Sequence, residues 1–236
     1  MTAATLTELA RLDVPTVDLG GWAAGSRTTR ETIARTLDRA ARSVGFMQIV
    51  GHGIPPHAIT GLTGALDQFF ALPLDVKQRY VEPPEVNRGY TPPRSERLSY
   101  SLGLDSPADL FEAFNVGAHV DQFPALDLDP VVYARNRWPV EAPAFARGVW
   151  TWFEHVQALA RTLEEVFALA LGLPEGFFAP FTDHSIDVLR MVNYALPEGT
   201  RLEPDQLGMG AHTDYGIVTI LWADPVVGLQ VLDGDG

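Results

Sequence analysis

Gly208-Met209-Gly210-Ala211-His212-Thr213-Asp214-Tyr215-Gly216-Ile217-Val218-Thr219-Ile220-Leu221 decides how this chain is read. The β-branched run after Gly216 has the composition of a strand. On extended backbone, side chains two residues apart share a face, so His212 and Asp214 converge. A neutral imidazole beside a carboxylate supplies two members of a 2-His-1-carboxylate set. That set leaves positions on Fe(II) open for oxygen and a chelating cosubstrate. The spacing alone is not specific, because His119-Val120-Asp121 repeats it. A structural pair is the ordinary reading of either copy taken in isolation.

Working outward, residues 188–195, 208–212, 217–223 and 229–232 read as short strands separated by turn residues. Even spacing of this kind predicts a sandwich or jelly roll. Asp233-Gly234-Asp235-Gly236 carries a hairpin-turn signal with no returning strand, so the sheet is expected to be cut in mid-hairpin. Upstream, Phe145, Val149, Trp152, Val156, Leu159, Leu163, Val166 and Ala170 recur in steps of three and four. They predict one long helix over 142–171, packed on a sheet. Residues 177–182 suggest a further short helix.

Residues 82–143 are rich in Pro, Gly and Asp, with short strands expected at 88–91 and 110–116. Loops of this length are usually functional or wrap a surface. Nearer the N-terminus, residues 14–19 read as an edge strand that tolerates Pro15. Ile33, Leu37, Ala40, Ala41 and Val44 predict a helix over 28–44 that stops at Gly45. Residues 46–50 read as a compact buried strand. Gly51-His52-Gly53 forces a turn, and a helix then begins near Pro55 or Pro56. Ile59, Leu62, Leu66, Phe69 and Phe70 form its apolar face, and a short helix over 74–80 follows Pro73.

Composition narrows the chemistry. The chain has 236 residues, 30 acidic against 17 basic, and a formal net charge of −13. Phosphate-backbone binding needs the opposite balance, so nucleic acid is not the expected partner. No cysteine is present. Thiolate metal sites and thiol catalysis are therefore excluded, and any metal falls to His, Asp and Glu. The longest apolar run, 166–173, is far short of the roughly 20 residues of a spanning helix. Residues 1–13 lack the pattern of a secretory leader. A soluble, cytoplasmic protein with a small-molecule partner is the expectation; oligomeric state is not legible.

Arg190-Met191-Val192-Asn193-Tyr194, the His212 segment and Gly228-Leu229-Gln230-Val231 together resemble the isopenicillin N synthase-like family of Fe(II)/2-oxoglutarate-dependent oxygenases. Val14-Pro15-Thr16-Val17-Asp18-Leu19 and Gly45-Phe46-Met47-Gln48-Ile49-Val50-Gly51-His52-Gly53-Ile54 are similar to the family's N-terminal region. Asp109-Leu110-Phe111-Glu112-Ala113-Phe114-Asn115-Val116-Gly117 is similar to its middle segment. The likeness is collinear along nearly the whole chain.

The resemblance implies an α+β fold with a double-stranded β-helix (jelly-roll) core and an N-terminal α/β helical region. Residues 1–120 would form the N-terminal oxygenase region. Residues 121–236 would hold the long helix and the first half of the jelly roll. His212 and Asp214 match two iron ligands, and Asn193 and Tyr194 match positions that hold 2-oxoglutarate. Ala195 and Leu196 depart from the tyrosine and proline common there in plant-type members. The third ligand, a distal histidine followed by Arg-x-Ser, has no counterpart, since no His, Arg or Ser follows Asp214. The chain is thus expected to be a C-terminally truncated piece that lacks full activity. The implied cofactors are Fe(II), 2-oxoglutarate and O2, and the reaction is hydroxylation, desaturation or cyclisation of a small organic molecule. Two alternatives stay open: an oxidase-type member that does not use 2-oxoglutarate, and an inactive binding protein on the same scaffold. A carbohydrate-binding jelly roll has little support.

The remaining histidines have simpler readings. His52 suits a structural hydrogen bond, His57 a solvated helix start, and His155 a helix surface. His184 is the one nearby rival for a third ligand. Glu164-Glu165 reads as a solvated helix face. Asp233-x-Asp235-Gly236 resembles only the start of a calcium loop.

Overall fold

The computed structural model describes residues 13–103, 105–196 and 199–231. Residues 1–12, which bear on the leader reading, and the turn at 233–236 lie outside the described residues. Among the described residues no helix is long and apolar enough to cross a membrane. The described residues fall into two compact units.

One unit contains residues up to 55, 155–183 and those from 216. Strand β1 (Thr16–Asp18) pairs in parallel with β2 (Gln48–Val50), Thr16 opposite Gln48. Pro15 sits just before the ladder, and its carbonyl accepts the Gln48 N–H at 2.8 Å. The proline therefore costs the pair no donor. Helix α1 (Arg27–Ser43) joins the strands. Ser26 caps it, its Oγ accepting the Thr29 N–H at 3.2 Å. Val17 and Leu37 are fully buried, and Leu159, Leu163 and Val166 pack with them.

Two expectations fail in this unit. Residues 46–50 are not a buried strand: Phe46 is 55% exposed and Val50 44%. Met47 and Ile49 pack on the core. Alternation therefore turns Phe46, Gln48 and Val50 to the uncovered face. The solvated-face reading of Glu164-Glu165 holds for Glu165, which is exposed, and fails for Glu164. Glu164 is buried, accepting from the Thr182 hydroxyl at 2.9 Å and pairing with Arg161 at 2.7 Å. Glu165 accepts from the Trp22 indole N–H at 3.1 Å. Glu164 thus ties the long helix to Thr182 through a polar partner that charge patterning alone does not reveal.

The second unit contains residues 56–154 and 184–215. Strands β3 (Gly89–Thr91), β4 (Glu112–Gly117) and β5 (Val188–Asn193) form an antiparallel sheet in that order. The register sets Tyr90 opposite Phe114, Phe114 opposite Met191 and Glu112 opposite Asn193. The central strand β4 is buried at every position. Helix α2 (Pro56–Phe70) buries Ala58, Leu62, Ala65 and Phe69. Phe69 lies edge-on to Phe114 at 4.8 Å and beside Phe145 at 4.9 Å. Phe145 opens the long helix α4 (Phe145–Ala170). The short helix α3 (Leu74–Lys77) lies in this unit, and α5 (Ala179–Thr182) in the first.

Gly148 marks where α4 meets α2. A Cβ there would fall 2.6 Å from the Gly61 carbonyl oxygen and 2.8 Å from the Ala65 Cβ. Alanine normally gains roughly 0.8–1 kcal/mol over glycine inside a helix. At this crossing the sign reverses, and Gly148→Ala lowers stability by about 1–3 kcal/mol through overpacking. Urea unfolding of the variant checks this; stabilisation would contradict the close approach.

The C-terminal strands differ most from expectation. Of the four segments read as strands, only 188–195 forms one, as β5. Residues 208–212, 217–223 and 229–231 are not strands, and residue 232 lies outside the described residues. A strand needs a neighbour to receive its N–H and C=O groups. No strand pairs with these segments among the described residues. The carbonyls of Leu207 and Gly208 instead accept from Leu110 N–H.

Candidate functional site

The His212 segment is held by a carboxylate that the sequence reading left without a role. Asp109 is buried, and its Oδ1 accepts the Gly210 N–H at 2.9 Å. Its Oδ2 accepts the Leu98 N–H at 2.8 Å. Gly210 lies so close to Ser99 that a Cβ would fall 2.8 Å from the Ser99 nitrogen. Glycine is therefore required two residues before His212.

The His212 ring is oriented by its own backbone. Nδ1 lies 2.8 Å from the Gly210 carbonyl oxygen. A carbonyl only accepts, so Nδ1 carries the proton and donates. Nε2 is the ring nitrogen left free of the backbone, and it lies 3.3 Å from Asp214 Oδ1. A nitrogen and a carboxylate oxygen this close suit a shared cation, a metal or a proton. The convergence of His212 and Asp214 holds even though this stretch is not a strand. Among the described residues no cluster of three or more His, Asp or Glu could hold a metal.

The second His-x-Asp copy is built differently. Arg135 clamps Asp121 with two hydrogen bonds, at 2.7 and 2.8 Å. The guanidinium holds the Asp121 carboxyl below its ordinary range. His119 packs against the Trp150 ring. Asp121 is thus committed to a cation of the chain itself.

Asn193 ends β5 with both ends of its amide engaged. Nδ2 donates to Glu112 Oε1 at 2.9 Å, and Oδ1 accepts the Ala195 N–H at 3.2 Å. One Nδ2 hydrogen is left over for a ligand. Glu112 is itself buried, paired with Lys77 at 2.8 Å and bonded by the Tyr90 hydroxyl. Tyr194 follows, 53% exposed, its hydroxyl 3.7 Å from Met209 Sδ and its ring beside Phe111. Tyr194 thus touches the His212 segment, whereas Asn193 is bound into the Glu112 network. Asp109 and Glu112 are the positioning residues that motif reading missed. Their signal was two carboxylates inside an otherwise apolar segment.

Of the other tyrosines, Tyr90 is a core residue, while Tyr100 and Tyr215 are 78% and 94% exposed. His52 Nδ1 accepts the Ile54 N–H at 3.1 Å, a structural role. His184 packs against Phe123, and its carbonyl accepts from the Tyr133 hydroxyl at 2.6 Å.

Desolvation raises the hydroxyls of Tyr80, Tyr90 and Tyr194 above their ordinary value of 10.0. Between that value and the raised ones, the folded chain holds protons the unfolded chain has released. Stability is therefore full below about pH 10 and falls as pH rises further. Urea unfolding across this range checks the slope, and Tyr90→Phe flattens it.

Comparison with known proteins identifies the family. A family model described as non-haem dioxygenase in morphine synthesis N-terminal matches residues 14–141. The chain belongs to this family, the non-haem Fe(II)/2-oxoglutarate oxygenases. The 2-oxoglutarate-Fe(II) type oxidoreductase hxnY of Emericella nidulans is 31% identical over 227 residues, covering 93% of this chain and 63% of the relative. Validamycin A dioxygenase of Streptomyces hygroscopicus subsp. limoneus is 31% identical over 214 residues, covering 88% and 57%. The chain thus spans about three fifths of the length of these curated relatives. Full-length Neurospora crassa T7H in complex with alpha-KG superposes with a TM-score of 0.71 at 24% identity, over 86% of this chain and 61% of that one. It shares the mixed helix-and-sheet fold.

Proposed function

We propose that the complete protein catalyses Fe(II)- and 2-oxoglutarate-dependent oxidation of a small organic molecule. The observation that carries this is the His212–Asp214 pair, with Nε2 turned to a carboxylate and Nδ1 fixed by a backbone carbonyl. A ring nitrogen anchored in this way is characteristic of metal-ligating histidines. The donor set, one imidazole and one carboxylate, suits Fe(II). When bound with 2-oxoglutarate, the iron supplies oxygen activation for attack on a C–H bond, releasing succinate and carbon dioxide.

The chain's own residues supply position. Gly210 and Asp109 hold the His212 ring, and Asp214 contributes an anionic oxygen. Asn193, held by Glu112, offers its remaining amide hydrogen to a 2-oxoglutarate oxygen, and Tyr194 offers a hydroxyl beside it. A distal histidine outside this chain completes the set. In this reading the β3–β4–β5 sheet begins a jelly roll that further strands complete. Residues 1–120 and 121–236 are then the N-terminal region and the start of the catalytic barrel.

The same pair also fits a second reading. With no third ligand in the described cluster, a proton could bridge His212 and Asp214 in a metal-free binding protein. Succinate release by the complete protein separates the two. Iron-dependent release from 2-oxoglutarate supports the oxygenase; none with iron present supports the binding protein.

A further inference from the structure

A cleft of about 420 Å³ opens beside the candidate site, lined by Pro93, Arg94, Leu110, Leu196, Thr200 and Arg201. That volume lies within the roughly 300–1,000 Å³ of small-molecule pockets. Its wall is tied to the His212 segment. Leu110 N–H donates to the carbonyls of Leu207 and Gly208, and its neighbour Asp109 anchors Gly210.

Three observations at Arg94 are independent of the iron site. First, its φ is +62°, a left-handed conformation that a long side chain adopts only at a cost. Strain of this kind persists where surrounding structure enforces it, and such positions cluster at ligand sites. Asp109 enforces it here, its carbonyl accepting the Arg94 N–H at 3.1 Å. Second, Arg94 Nη2 donates to the Arg201 carbonyl at 3.3 Å, which draws the two arginine segments together. Third, neither guanidinium meets a carboxylate among the described residues. Among the described residues no ion pair involves Arg94 or Arg201, although the chain carries a net charge of −13. Two arginines on one cleft bring positive charge to it, and their planar guanidinium forks suit a carboxylate. Pro93, Leu110 and Leu196 supply apolar walls that an inorganic ion would not use.

We propose that this cleft binds the carboxylate end of the organic substrate, so that the substrate class is an organic acid with an apolar body. The proposal deepens the oxygenase reading and rests on it for the word substrate; the binding itself does not.

The test is calorimetric titration of the metal-free complete protein with benzoate, methyl benzoate and inorganic phosphate. Benzoate is expected to bind more tightly than either of the others. Arg94→Gly and Arg201→Ala should each weaken it by about tenfold, the scale of one charge-assisted hydrogen bond. Arg94→Gly relieves the positive φ, so its thermal midpoint should not fall, which separates lost binding from lost folding. Unchanged benzoate affinity in both variants would overturn the proposal. So would equal binding of methyl benzoate, or phosphate binding as tightly as benzoate. Asp214→Ala should bind benzoate normally. If Fe(II) fails to bind while benzoate depends on Arg94, only the iron reading falls.

Discussion

Glu112→Ala should lower stability by about 3–5 kcal/mol, the range for stranding one partner of a buried ion pair. Lys77 is the chain's single lysine, yet it is only 7% exposed, and Glu112 is 6% exposed. The ammonium meets the carboxylate at 2.8 Å and the Phe70 carbonyl at 2.9 Å. The Tyr90 hydroxyl and the Asn193 amide complete the Glu112 shell. Removing Glu112 leaves a buried cation and two donors without their acceptor. Attraction between the charges is offset by the cost of taking both out of water, so removing both together should be far milder. Lys77→Met with Glu112→Leu should recover most of the loss, and a double-mutant cycle measures the coupling. A Glu112→Ala variant within about 1 kcal/mol of the parent would show that this network does not carry the weight assigned to it.

His212→Ala and Asp214→Ala should each abolish turnover in the complete protein. The expected loss exceeds the 10- to 100-fold range typical of residues that merely support a ligand, so it should be at least about 10²-fold. Asp121→Asn serves as the internal comparison. It disrupts the other His-x-Asp copy, whose carboxylate is already held by Arg135, and turnover should stay within about twofold. Steady-state succinate release reads all three. Equal losses at both copies would mean that the variants report folding rather than ligation.

The helices were legible because their apolar spacing is long and regular: 28–44 became Arg27–Ser43, and 142–171 became Phe145–Ala170. The His212–Asp214 pairing was legible because side chains two residues apart can meet even where no strand forms. Pairing itself was not legible. Residues 217–223 have strand composition, but composition supplies no neighbouring strand, and among the described residues none is present. The polar interior was hidden for a related reason. Glu112, Asp109 and Glu164 look like ordinary charged residues until the chain brings Lys77, Gly210 and Thr182 to them. Those partners lie 35, 101 and 18 residues away. Strain at Arg94 was equally invisible, because a turn that forces an arginine to positive φ carries no mark in residue type.

The most direct test of the account is equilibrium binding of Fe(II) to the complete protein under anaerobic conditions. One iron per chain should bind in the parent and in Asp121→Asn. Binding should be lost in His212→Ala and in Asp214→Ala, with all four proteins folded by circular dichroism. Iron bound with unchanged affinity by either His212→Ala or Asp214→Ala, or no iron bound by the parent, would contradict the assignment of this pair as metal ligands.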